Sequence, residues 1–74
     1  MTGLVLISGK EMCKLVERLG FQAIGQKGSH VRYRHPDGRK TVVPVHANEQ
    51  LGRGMTAEIL KQVKLSREEY DRLR

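Results

Sequence analysis

The residues best suited to chemistry lie together in the middle of the chain. His30 follows Gly28-Ser29, and Arg32 and Arg34 come two and four residues later. On a strand that spacing puts all three side chains on one face, because successive side chains alternate. Histidine is the side chain whose ordinary pKa lets it both take and give a proton near neutrality. Guanidinium groups beside it can hold a phosphate and steady charge that builds on its oxygens. These are the minimum parts for cutting RNA without a metal: a base for a ribose 2′-hydroxyl, and cations for the adjoining phosphate. The Gly28 and Ser29 amides and the Ser29 hydroxyl could add phosphate donors in a turn. The competing reading makes His30 a solvent-facing residue on a basic strand that only grips the backbone, and spacing alone leaves both open.

Lys27, Arg39 and Lys40 extend the cationic set, either as phosphate contacts or as a charged face that discourages sheet aggregation. His46, at the end of the following strand, could reach the same surface as a second acid or a phosphate ligand. His35 precedes Pro36, which holds it extended at a hairpin tip and points to a structural or solvent-exposed role. The three histidines are not paired at zinc-ligand spacing and Cys13 is the single cysteine, so no metal or other cofactor is expected. Tyr33 reads as core rather than a base-stacking platform, and Met12, Cys13 and Met55 as helix packing.

Charge is concentrated where these residues sit. Fourteen Lys and Arg against eight Asp and Glu give a net charge of +6, which favours a polyanionic ligand, nucleic acid first. Residues 26–54 hold Lys27, Arg32, Arg34, Arg39, Lys40 and Arg53 against Asp37 and Glu49, a net +4, while each flank carries only +1. The flanks read as solvated helices of mixed charge. Seventy-four residues make one domain, 1–74, with a thin core contributing about 3 to 5 kcal/mol. A doubly wound nucleotide-binding sheet or a barrel enzyme does not fit in that length. A lone cysteine and the lack of a targeting pattern suggest a cytoplasmic protein with no membrane partner; the apolar run at residues 1–7 is far shorter than the roughly 20 residues that span a bilayer.

Several elements must position the cationic segment. Ser8-Gly9-Lys10-Glu11 has capping-box form, and Met12, Leu15, Val16 and Leu19 follow as one apolar stripe that Gly20 ends, with Ile7 placed to staple against Met12. Residues 21–27 form a short strand whose inner face is ambiguous at Ala23, Ile24 and Gly25. Gly28-Ser29 turns the chain into a half-buried strand at 30–35. Pro36-Asp37-Gly38 then makes a type I turn into an antiparallel strand at 40–45. The turn sets Tyr33 opposite Thr41 and Val31 opposite Val43 on the core face, leaving His30, Arg32, Arg34 and Lys40 on the other. A loop at 47–54 leads to a helix marked by Met55, Ile59, Leu60 and Val63. Ser66-Arg67-Glu68-Glu69 caps a terminal helix, with Leu65 as the staple partner of Tyr70. The expected fold is α+β, an α-β-β-β-α layout with helices on one face of a three-stranded antiparallel sheet, as in double-stranded-RNA-binding domains.

Six short motifs in order, Ser8-Gly9-Lys10-Glu11, Leu19-Gly20-Phe21, Gln26-Lys27-Gly28-Ser29-His30, His35-Pro36-Asp37-Gly38, Val43-Pro44-Val45-His46 and Ile59-Leu60-Lys61-Gln62, resemble the HicA toxin family of toxin-antitoxin systems. The resemblance runs from about residue 8 to residue 70. It implies a small metal-independent mRNA interferase that blocks translation by cutting single-stranded transcripts, with His30 in the position of the family's catalytic histidine. It also implies a HicB-type antitoxin partner that covers the active surface and carries the DNA-binding part, so that the toxin alone has no direct contact with DNA. The chain departs from the family at Gly54-Met55-Thr56, where Gly-Thr-Leu is usual, and at Lys64, where a glycine usually follows the helix. Two other readings stand beside this one: a module that grips structured RNA without cutting it, and a domain whose basic face docks an acidic protein.

Overall fold

The computed structural model describes residues 3–74; residues 1 and 2, where the apolar opening run begins, lie outside them. The elements are α1 (Gly9–Arg18), β1 (Gln22–Lys27), β2 (His30–Arg34), β3 (Lys40–Pro44), α2 (Arg53–Val63) and α3 (Arg67–Leu73). The strands form one antiparallel sheet in the order β1-β2-β3, the α+β layout of double-stranded-RNA-binding domains.

α1 begins where its capping box dictates. The Ser8 hydroxyl accepts from the Glu11 amide and the Glu11 carboxylate accepts from the Ser8 amide, at 3.1 and 3.0 Å. Its end is equally defined: the Gly20 and Phe21 amides donate back to the Glu17 and Val16 carbonyls, the paired bonds of a Schellman cap. α3 repeats the same capping box with Ser66 and Glu69. Of the two predicted staple pairs, Ile7, Met12 and Tyr70 belong to the core cluster and Leu65 packs against it.

The hairpin from β2 to β3 has the expected register, Val31 against Val43 and Tyr33 against Thr41. The first hairpin closes through Lys27 and His30, with Gly28 at φ +58° in the first central position, a left-handed conformation that glycine adopts without penalty. β1 carries a bulge between Ala23 and Gly25, and this is why its inner face is ambiguous in the sequence: the extra residue shifts the alternation partway along the strand. As an edge strand exposed along nearly all its length, β1 adds little to the core.

α1 and α2 both pack against β3. Met12, Leu15, Val16, Ile59, Val63, Val43 and Tyr70 are fully enclosed between the layers, and each such side chain stabilises the fold by roughly 1.5 to 3 kcal/mol. The α2 stripe differs from the expected one. Met55 is 41% exposed, and Thr56 takes the buried position beside Ile59, Leu60 and Val63. At 3.6 residues per turn Met55 lies about 90° from the centre of that stripe, while the Thr56 hydroxyl satisfies itself by donating to the Gly52 carbonyl at 2.8 Å. α3 ties the start of the chain down, since the buried Tyr70 hydroxyl donates to the Val5 carbonyl. Among the described residues no helix is long and apolar enough to cross a membrane.

Candidate nucleic-acid interface

Strand alternation divides β2 between two environments. Tyr33 faces the helices, where its hydroxyl donates to Glu17 and burial pushes its pKa well above the usual tyrosine range. It is therefore a neutral donor in the core and not a stacking surface. His30, Arg32 and Arg34 are exposed on the open face. From β3, Lys40 pairs opposite Arg34 and Val42 opposite Arg32, which adds an ammonium group and an exposed aliphatic side chain. Lys27 stands opposite His30 on β1. The Arg32 guanidinium reaches across β1 at Gly25, where a Cβ would meet its Nη2 at 2.6 Å.

The bulge gives this face a feature that simple alternation would not. Ile24 is 52% exposed and joins Val42 in lining a shallow depression of about 350 Å³, together with Arg32, Arg34 and Lys40. Val42 is legible from the hairpin register, whereas Ile24 needs the position of the bulge.

At the other end of β2 the chain brings His46 close to His30. Their ring centroids are 6.4 Å apart and the rings are nearly perpendicular, at 87°. The Ser29 hydroxyl lies 3.4 Å from His46 Nε2, and the Ser29 carbonyl accepts from the Val45 amide at 2.7 Å. The same Gly28-Ser29 turn that presents His30 thus holds the end of β3.

Arg39 is not brought to this surface, which corrects its grouping with the other cations. It precedes Lys40 and so falls on the opposite side of the strand. There its Nε donates to Asp37 at 2.8 Å, its Nη1 donates to the Val63 carbonyl, and its guanidinium stacks 5.1 Å from the Phe21 ring centroid. His35 is likewise structural: Nδ1 accepts from the Asp37 amide at 3.1 Å, which leaves Nε2 to donate to the Leu19 carbonyl at 3.2 Å. Among the described residues no three His, Cys, Asp or Glu side chains converge as a metal-binding set.

A search of curated proteins finds no match to the chain. The family model described as the HicA toxin of bacterial toxin-antitoxin systems matches residues 9–65, from the first residue of α1 to the residue before the α3 cap. That span takes in all three strands, both hairpin turns and α2. The cationic sheet face, the Gly28-Ser29 turn and both clustered histidines are therefore features carried inside the matched region, and the chain belongs to the HicA toxin family, as a toxin whose partner is a cognate antitoxin.

Proposed function

We propose that this toxin is a metal-independent endoribonuclease that cuts single-stranded mRNA and so blocks translation. His30 exchanges a proton with the reacting ribose phosphate, and Lys27, Gly28, Ser29, Arg32, Arg34 and Lys40 bind the RNA backbone. The observation that carries the reading is the exposure of His30 beside a tight glycine-serine turn, on the same sheet face as Arg32, Arg34 and Lys40. An imidazole there has access to a backbone that the cations would hold, and cations close to the reacting phosphate stabilise charge developing on its oxygens. The antitoxin on this reading is a HicB-type protein that masks the cationic face and itself carries the DNA-binding function.

The test is cleavage of labelled single-stranded RNA in EDTA by the purified protein, beside the His30→Ala variant. The expected result is cleavage by the wild type only, with the variant still folded and still binding antitoxin. RNA that is bound but left whole by the wild type would favour a binding module, and equal cleavage by the variant would remove His30 from the chemistry.

A further inference from the structure

We propose that His46 is the second proton-transfer group of this site, protonating the leaving oxygen while His30 takes the proton of the attacking 2′-hydroxyl. The inference rests on the endonuclease reading and adds to it the residue that completes the reaction.

The chemistry requires two groups. When the 2′-oxygen attacks phosphorus, the O2′–H bond breaks and its proton passes to the base. A bond forms from O2′ to phosphorus, the bond from phosphorus to O5′ breaks, and O5′ takes a proton from the acid. The products are a 2′,3′-cyclic phosphate and a free 5′-hydroxyl, with no water or metal consumed. The attacking and leaving oxygens stand in line on opposite sides of phosphorus. Two imidazoles serving them must therefore be near neighbours without touching, each within about 2.6 to 3.2 Å of its own oxygen. His30 and His46 meet the first part of that condition, near neighbours that do not touch: the centroids are 6.4 Å apart, and the rings are nearly perpendicular at 87°.

The backbone around His46 is built to hold it there. The Val45 amide is fixed to the Ser29 carbonyl, and the Ser29 hydroxyl adjoins Nε2. Directly after His46 the chain reverses: the Glu49 amide donates to the His46 carbonyl at 2.9 Å, and Ala47 sits at φ +47°, a left-handed conformation that residues with a Cβ disfavour. Strain next to an exposed histidine is the kind of outlier from which a functional constraint is inferred. Lys27 pairs opposite His30 on β1, Arg32 lies two residues along β2, and the first turn of α1, which packs on Pro44, carries Lys10 and Glu11.

The experiment compares two RNAs at a site the wild type cuts, one with the ordinary 5′-oxygen and one with sulfur in its place. A thiolate leaves without being protonated, so it needs no acid. His46→Ala and His46→Gln should cut the all-oxygen RNA about 10²- to 10⁴-fold more slowly than the wild type, and cut the sulfur-containing RNA within about tenfold of it. His30→Ala should fail on both. A His46 variant that cuts the all-oxygen RNA at wild-type rate, or is equally impaired on both RNAs, overturns the assignment. Wild-type protein inert on both RNAs overturns the endonuclease reading itself, a different result from either of those.

Discussion

Gly9 and the Pro44 carbonyl are packed so closely that a Cβ on Gly9 would stand 2.0 Å from the carbonyl oxygen. The first turn of α1 therefore rests directly on the backbone at the end of β3, two residues before His46. Gly9 is buried and the obstruction is main chain, so neither side can yield without moving an element. Gly9→Ala should destabilise by about 1 to 3 kcal/mol, the range for forcing a methyl into a filled interior. For a chain of this size that is a fall in Tm of at least about 4 °C. A thermal melt within about a degree of wild type would contradict the packing.

The arginines of the hairpin separate into two roles. Arg39→Ala should lower stability by roughly 1 to 3 kcal/mol, because it removes the Asp37 ion pair, the donor to the buried end of α2 and the stacking on Phe21. Its effect on the salt dependence of RNA binding should be small. Arg34→Ala should do the reverse, leaving the melt nearly unchanged and lowering the slope of log affinity against log salt by about 0.7 for each phosphate of a single strand that it no longer neutralises. Melts and salt titrations of the two variants, measured side by side, check the division; equal salt slopes would return Arg39 to the proposed RNA-binding surface.

The ease of reading this chain varies with how local the deciding physics is. The α1 and α3 starts follow from hydrogen bonds spanning three residues, and the β2–β3 register follows from one turn, so these can be read from Ser8, Ser66 and Pro36-Asp37-Gly38 alone. The bulge at Ile24 cannot, because a one-residue shift on an exposed edge strand leaves no hydrophobic pattern to register it. Met55 and Thr56 trade places for a related reason. Hydrophobicity favours the methionine, but the phase of the stripe set by Ile59, Leu60 and Val63 favours Thr56. Arg39 carries a legible signal in its odd spacing from Lys40. The position of His46 at the end of β3 is legible from that register, but the 6.4 Å approach of its ring to His30 depends on how the chain beyond Pro44 sits against the Gly28-Ser29 turn, which is a tertiary fact.

Lys64 is the place where this chain lacks the glycine usual in its family, and the backbone there keeps the glycine conformation. It closes α2 at φ +57° and ψ +46°, with the Leu65 amide donating back to the Leu60 carbonyl. A lysine in the left-handed region carries a steric cost that glycine does not, partly offset by the extra freedom glycine has in the unfolded chain. Lys64→Gly should therefore stabilise by about 0.5 to 1 kcal/mol. A denaturant titration should show a higher midpoint at unchanged slope, and a lower midpoint would mean that the Lys64 side chain makes an interaction worth more than the strain.

Acid should weaken the fold through three carboxylates that hold local structure. Backbone amides donated by Ser8 and Ser66 keep Glu11 and Glu69 below their ordinary value of 4.5, and the Arg39 amide with its guanidinium keeps Asp37 below 3.8. A carboxylate whose pKa is lower in the folded than in the unfolded chain binds fewer protons when folded, so stability rises with pH while the unfolded form is titrating. The contribution is complete above about pH 5.5, a unit past the ordinary glutamate value, and is lost as pH falls through the depressed values. Tm should thus drop progressively on acidification below about pH 4.5. Replacing all three with Gln or Asn should flatten that part of the profile by removing the groups that titrate. A triple variant with an undiminished acid slope would place the sensitivity in other groups.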